Sequence, residues 1–293
     1  MRTIYGHDGL NSLIAEDASV ELLIEEVRLL SEIDREMLSE ANLKDKFGVV
    51  IQKINDFIKK IGEFLAKLLK QINHSINQGT FTITDKIKGV VGGKKMLHVK
   101  YVQADILDAN KIGDILTRVE RKTYWVESRV KALANGNRDT EEIIKEAIEH
   151  TEEVKEINAD IAKAKDTFKD YRRENMSSEF ALRYLEDMDR TIKNCASYTV
   201  TLEHNKKLFD SMIKSIEIRQ KQLEKETPVN DEEYLDIGKR MSTAIDLAKH
   251  AVTMYNGASV LVAQFSKNFL SSKMAVQNAL TAAANDGAEP QPA

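Results

Sequence analysis

The sequence predicts an all-α protein, built as an elongated antiparallel bundle of long, coiled-coil-like helices with a small N-terminal helical module. Helix breakers are scarce, because the 293 residues include only 3 prolines and 13 glycines. Charged residues make up 31% of the chain and apolar residues 42%, a balance typical of long solvated helices. Apolar residues also recur at intervals of three and four along most of the chain, which is the spacing of one helix face.

Charge is divided unevenly along the first hundred residues. Residues 1–40 carry ten acidic and three basic side chains, a net charge of -7, although the whole chain has a net charge of only -4. Residues 41–100 carry twelve lysines against four acidic residues, a net charge of +8. We therefore predict an acidic leader helix over 1–40, a basic amphipathic helix with a flexible linker over 41–100, a long-helix bundle over 101–285 and a disordered tail over 286–293.

The basic segment contains the most amphipathic helix, predicted over residues 45–76. Large apolar residues repeat at helical spacing from Val50 to Ile72, with Phe57 and Phe64 among them. The lysines of this segment lie largely outside that stripe. Residues 79–100 then break the pattern, since residues 80–84 are β-prone and Gly89, Gly92 and Gly93 favour a flexible connection. The spacing of these glycines does not match a Walker A phosphate loop.

Helix signals continue to the end of the chain. One helix starts at Asp108 and stops at Asn135-Gly136-Asn137, and the next is capped by Asp139 or Thr140. A break over residues 175–178 leads to a third helix, and Pro228 ends it. The last helix, over 231–284, would span about 80 Å. Its apolar register is the longest in the chain and comprises Tyr234, Ile237, Met241, Ala244, Ala248, Ala251, Tyr255, Ala258, Val262, Phe265 and Phe269.

No residue pattern indicates catalysis, a cofactor, a metal or a small-molecule substrate. Cys195 is the single cysteine and lies at helical spacing among apolar residues, which predicts a small core side chain. The six histidines are far apart and show no metal-ligand spacing. We expect His150 and His204 to be solvated helix residues, and Trp125 to serve packing. The first residues predict no secretory signal, and no apolar run approaches the length of a membrane span.

The lysine-rich segment admits three interpretations. Helix 48–72 can pack as a core helix with a solvated lysine face, lie on a membrane surface, or bind a polyanion. Lysine without arginine favours point-charge contact that is independent of nucleic-acid sequence. The candidate contact residues are Lys53, Lys59, Lys60, Lys67, Lys70, Lys86, Lys88, Lys94 and Lys95.

The N-terminal third also resembles a known protein family. The leader begins Ile4-Tyr5-Gly6-His7-Asp8-Gly9-Leu10 and continues as an acidic helix, and the basic helix over 47–76 and long charged helices follow. This arrangement resembles the internal head (virion) proteins of large tailed bacteriophages, over about residues 1–76. The resemblance implies a non-enzymatic structural protein of the phage head, present in the host cytoplasm during assembly, with other virion proteins and DNA as partners.

Some proteins of that family are cleaved by a prohead protease after a Leu-x-Glu site. Leu38-Ser39-Glu40 matches such a site at the charge boundary. Ile-x-Glu is cleaved as well in that family, and Leu30-Ser31-Glu32, Ile14-Ala15-Glu16 and Leu23-Ile24-Glu25 also match the motif. Cleavage after Glu40 would leave 40 basic and 37 acidic residues, a net charge of +3.

Two other functions stay open: a membrane-active α-helical protein that uses helix 48–72, and a coiled-coil adaptor. The apolar stripes of the long helices can also pack against those of a second copy of the chain, which would give a homo-oligomer.

Overall fold

The computed structural model describes residues 85–102, 109–136, 139–169, 172–225 and 231–286, together with Lys59, Glu63, Ala66, Lys67 and Lys70. It confirms the all-α class with long helices. The elements in chain order are α1 (Asp85–Gly92), β1 (Met96–Val102), α2 (Ala109–Asn135), α3 (Thr140–Lys169), β2 (Arg172–Ser177), α4 (Ser178–Lys225) and α5 (Asp231–Asp286).

The four long helices form a bundle in which α2, α4 and α5 pack against one another and α3 packs against α2 and α5. Side-chain pairs fix the directions. Arg118 pairs with Asp160 and Arg129 with Glu146, so α2 and α3 are antiparallel. Helices α4 and α5 are also antiparallel, whereas α2 and α4 are parallel. With 56 residues, α5 is about 84 Å long and extends along the whole bundle.

The predicted helix ends around residue 136 are confirmed. Helix α2 ends at Asn135, and Gly136 follows with a φ of 65°, a left-handed conformation that glycine adopts without steric cost. The side chain of Asp139 then caps α3, because its Oδ1 accepts a hydrogen bond from the backbone N–H of Glu141 at 2.8 Å. Two antiparallel helices are thereby joined by a short connection.

The core follows the apolar register predicted for the last helix. From Met241 to Phe269 every member of that register is buried, and Ile237 packs against the same core. Cys195 is 1% exposed, which confirms its prediction as a core residue. Burial raises the pKa of its thiol to about 12, so the thiol stays protonated.

We predicted a flexible connection over residues 79–100, and this prediction is wrong for residues 85–100, which the structure describes. Residues 85–92 form helix α1, and residues 96–102 form strand β1, which pairs antiparallel with β2. Leu97 and Val99 of β1 are buried, whereas Met96, His98 and Lys100 are exposed. This alternation gives β1 an inner face that packs on the bundle. The break expected over residues 175–178 is occupied largely by β2.

Helix α1 is held in place by a small apolar cluster of its own. Ile87 and Val90 are buried against Ala284, near the end of α5. Gly89 and Gly92 are therefore helical residues here rather than parts of a mobile loop. The turn after α1 is closed by backbone hydrogen bonds from Gly93 N–H to the Gly89 carbonyl and from Lys94 N–H to the Val91 carbonyl, each 3.0 Å long.

A hydrogen-bond junction ties the sheet to the bundle. The Tyr184 hydroxyl on α4 donates to the carbonyl of Val102 at 2.5 Å, and the Val102 N–H donates to Ser272 Oγ on α5 at 3.0 Å. All three residues are buried. Both backbone groups at the end of β1 are thus satisfied by side chains of two different helices, as buried polar groups require.

Several predictions fall outside the described residues. These are the leader helix over 1–40, the β-prone segment 80–84, the Leu38-Ser39-Glu40 site and residues 287–293 of the tail. The predicted limits of the domains therefore stay predictions. Asp286, which we assigned to the tail, is the last residue of α5.

We expect Tyr184→Phe to lower the free energy of unfolding by about 1–3 kcal/mol, because the buried Val102 carbonyl would lose its donor. Urea denaturation measures this loss. Tyr124→Phe is the matched control, since Tyr124 is 64% exposed and its substitution should change stability little. Equal effects of the two substitutions would contradict the junction.

Candidate functional site

The lysine face of the N-terminal basic helix is described at five positions. Lys59, Glu63, Ala66, Lys67 and Lys70 are all helical and all exposed. On the helix predicted over residues 45–76, these five positions would lie within about 100° of arc at 3.6 residues per turn. This is the side that the sequence pattern leaves free of large apolar residues. Lys59, Lys67 and Lys70 are thus exposed helical residues, whereas Lys53 and Lys60 lie outside the described residues. Contact of these lysines with a polyanion stays a prediction.

A second group of lysines lies at the turn between α1 and β1. Lys94 and Lys95 are both exposed, and Lys94 has a φ of 48°, an uncommon value for a residue other than glycine. The closed turn holds the backbone of these two residues in place. Within the part of the chain that the structure describes, Lys59, Lys67, Lys70, Lys94 and Lys95 form no ion pair.

The other two predicted contact lysines, Lys86 and Lys88, do not belong to these two groups. Lys88 pairs with Asp85 at 3.0 Å, so its charge is offset by a neighbour. Lys86 lies on α1, and its side chain is outside the described residues. Lys100, a further candidate at the end of the lysine-rich segment, pairs with Glu174 of β2 at 3.5 Å. Lys88 and Lys100 are well exposed, so both pairs are weak surface contacts.

The described residues offer no recognisable active site. The single thiol is buried and protonated. Nowhere in the described ranges do three His, Cys, Asp or Glu side chains come together in a group able to hold a metal ion. The exposed His204 pairs with Glu120 across the α2–α4 contact at 2.7 Å, which confirms its prediction as a solvated helix residue.

A charged cluster between α2 and α3 was missed by the sequence analysis. Its centre is Lys122 of α2, whose side chain is only 4% exposed. The Lys122 ammonium donates to Glu153 Oε2 and lies 2.6 Å from Nδ1 of His150, both on α3. Two turns further along the contact, Arg129 donates to Glu146 at 2.8 Å. The cluster thus joins two helices through alternating positive and negative side chains.

Trp125 lies in the middle of this cluster. The Lys122 ammonium lies 5.3 Å and the Arg129 guanidinium 5.0 Å from the centre of the indole ring, within the range of cation–π attraction. The imidazole of His150 packs on the same indole, with ring centres 4.1 Å apart. The expectation that His150 is simply solvated is therefore wrong, because its side chain is only 34% exposed.

A sequence signal for His150 was available. Ile143 and Ile157, which are fully buried, lie seven residues before and seven residues after His150. Since two helical turns separate each pair, His150 occupies a position on the buried seam of α3. A titratable side chain at such a position needs a polar partner on the neighbouring helix. The sequence does not show which residue of which helix supplies it.

Comparisons with known proteins do not identify the chain. No family model, no curated protein and no solved structure matches it. Among the helices that the structure describes, none combines the length and apolarity needed to cross a membrane.

The ionisation of Glu153 contributes to the α2–α3 contact. The hydrogen bond from Lys122 holds the pKa of the Glu153 carboxyl below its usual value near 4.5, against the opposing effect of burial. Because the pKa is lowered in the folded state, the carboxylate stabilises the fold above about pH 4.5, and this contribution is lost as the pH falls through the folded-state pKa.

We therefore expect Glu153→Gln to lower the free energy of unfolding by about 1–3 kcal/mol at pH 7, toward the low end because Glu153 is 43% exposed. The difference from the unchanged protein should shrink at lower pH, as the carboxyl of the unchanged protein becomes neutral. Urea denaturation at several pH values measures both effects. The control is Glu152→Gln, whose partner Lys155 is exposed; an equal loss there would contradict the role of the cluster.

Proposed function

We propose that this chain is a non-enzymatic structural protein that binds DNA through exposed lysines without regard to base sequence. The observation that carries the proposal is the pair of exposed lysine groups. Lys59, Lys67 and Lys70 are exposed helical residues on the same face of the predicted helix, and Lys94 and Lys95 lie on one closed turn. An exposed ammonium group can pair with phosphate and release counterions.

The chemistry of these groups favours phosphate contact over base reading. Lysine presents a point charge on a flexible stem, whereas the bidentate contacts that read guanine favour arginine. The two described groups contain no arginine, and Glu63 on the helix face limits the local excess of positive charge. Moderate, salt-sensitive binding is what such a surface would provide.

The proposed setting is the interior of a phage head, with other virion proteins as further partners. Its support is the resemblance of the N-terminal third to internal head proteins, together with the charge division at residue 40. Removal of the acidic leader would change the net charge from -4 to +3. That change would favour storage next to DNA, since the mature chain would no longer be repelled by phosphate overall.

Salt dependence tests DNA binding by the two lysine groups. Each lysine that contacts a phosphate contributes about -0.9 to the slope of log K against log salt concentration. We expect Lys94→Asn with Lys95→Gln to reduce the steepness by about 2, and Lys59→Gln, Lys67→Gln and Lys70→Gln together by about 3. Asn is used at position 94 because it tolerates a positive φ. Fluorescence anisotropy with a random-sequence DNA duplex measures the slope.

The control is Lys88→Gln with Lys100→Gln, which removes the same charge as the double variant at positions 94 and 95. Because Lys88 and Lys100 already pair with carboxylates, this control should change the slope by less than about 1. If both double variants weaken binding equally, net charge and not the lysine groups governs it. Absent or salt-insensitive binding of the unchanged protein would overturn the proposal.

The N-terminus of the protein in its native particle tests the proposed setting. We expect a mature chain that starts at Ala41, after Leu38-Ser39-Glu40, because cleavage there removes the -7 leader. Intact mass and N-terminal sequencing measure it, and Glu40→Gln should block processing. A particle-associated chain that starts at Met1 or Arg2 would contradict processing at this site, and absence of the chain from particles would contradict the virion setting.

A further inference from the structure

The α2–α3 contact depends on the protonation state of His150. A lysine ammonium has three donors and no acceptor, so His150 Nδ1, 2.6 Å from Lys122 Nζ, must act as the acceptor in this contact. An imidazole nitrogen accepts only when it carries no proton. The arrangement therefore requires a neutral His150 with its proton on Nε2.

Protonation of Nδ1 removes this hydrogen bond and places two cations next to each other. The nearby charged groups are Lys122 and Arg129 on α2, and Glu146 and Glu153 on α3. These four sum to zero, so a protonated His150 gives the cluster a net charge of +1. Glu153 Oε2 lies 3.3 Å from His150 Nδ1 and already accepts from Lys122, so the two cations would compete for one carboxylate oxygen.

Helix α5 adds no group that cancels this charge. Lys239 of α5 pairs with Glu141 of α3, and Gly257 of α5 lies against Ile161 of α3, so the two helices run parallel. This register puts Asp246, Lys249 and His250 at the level of His150. Asp246 and Lys249 lie 3.8 Å apart and offset each other, and His250 is exposed.

In the middle of α3 the described side chains that face the bundle are only partly buried, Ala147 and Val154 among them. Among the described side chains of α3, only Ile143, Ile157 and Ile161 are buried. Between Ile143 and Ile157 the seam is formed by half-buried residues, of which His150 is the central one. Among the described side chains, apolar burial is therefore more complete at the two ends of this stretch than at its centre. The polar cluster adds to the contact of Ala147 and Val154 there.

We propose that His150 is an acid-sensitive latch that holds the middle of α3 against α2 when neutral and releases it when protonated. Histidine is the side chain whose charge ordinarily changes between about pH 5 and pH 8. Release exposes Trp125 and the side of α2 that α3 covers.

The experiment uses the full chain and its own fluorescence, since Trp125 is the only tryptophan. The emission maximum and the acrylamide quenching constant are measured from pH 8 to pH 5, with far-UV circular dichroism in parallel. We expect a red shift of the emission maximum and a rise of about twofold or more in the quenching constant on acidification, with helicity retained.

The variants His150→Gln and His150→Phe cannot take up a proton and should abolish the transition. Gln keeps an acceptor for Lys122, whereas Phe keeps a ring against Trp125, so one variant can replace the other if its helicity shows that it has not folded. His204→Gln and His250→Gln should keep the transition, because their histidines lie outside the cluster.

Three results would overturn the latch. The first is no change in Trp125 accessibility between pH 8 and pH 5. The second is a loss of intensity without a red shift or increased quenching, which would mean that protonation occurs next to Trp125 but α3 stays in place. The third is a transition that persists in a folded His150 variant, because a different group would then be responsible.

Discussion

The burial of α5 is the constraint on which the rest of the structure depends. Between Ala251 and Ala284 its only charged residues are Lys267 and Lys273, so water cannot solvate most of its surface favourably. Helices α2, α3 and α4 each cover part of it, and α1 and β1 cover its C-terminal end. Small residues make the coverage close: Ala244, Ala251 and Ala258 are fully buried, and Gly257 leaves room for Ile161 of α3. A hydrophobic helix of this length needs long neighbours, and α4, with 48 residues, is the longest of them.

Helix α3 is attached in a different way from the other three. Its described buried side chains are few, and cations of α2 and α5 pair with its carboxylates at several levels, through Arg118, Lys122, Arg129 and Lys239. Most of these pairs are partly solvated, so each contributes little by itself. The Lys122 pair differs because its ammonium is buried, and a buried charge that loses its partners is strongly unfavourable. The stability of the bundle therefore depends on apolar area around α5 and on charge state along α3.

The accuracy of sequence reasoning differed between elements for physical reasons. Helix α2 ended where Asn135 and Gly136 predicted, because a left-handed residue at a helix end is a local requirement. Cys195 and the Met241 to Phe269 register were buried as their spacing predicted. Strand β1 was missed because its alternation covers only seven residues next to glycines, and its pairing partners in β2 lie 70 or more residues away. In the candidate site, the spacing of apolar residues predicted the exposure of Lys59, Lys67 and Lys70. It did not predict the closed turn at Lys94.

The sequence by itself determined the four long helices, the end of α2 and the buried register of α5, because these depend on neighbours within a few residues along the chain. The tertiary structure decided which buried sides meet, and with them the β1–β2 sheet, the Tyr184–Val102–Ser272 junction and the Lys122–His150–Glu153 cluster. Each of these depends on contacts between residues distant in sequence. Periodicity shows that His150 points toward a neighbouring helix. The role of its titratable side chain depends on the charges that face it, and those charges come from another part of the chain.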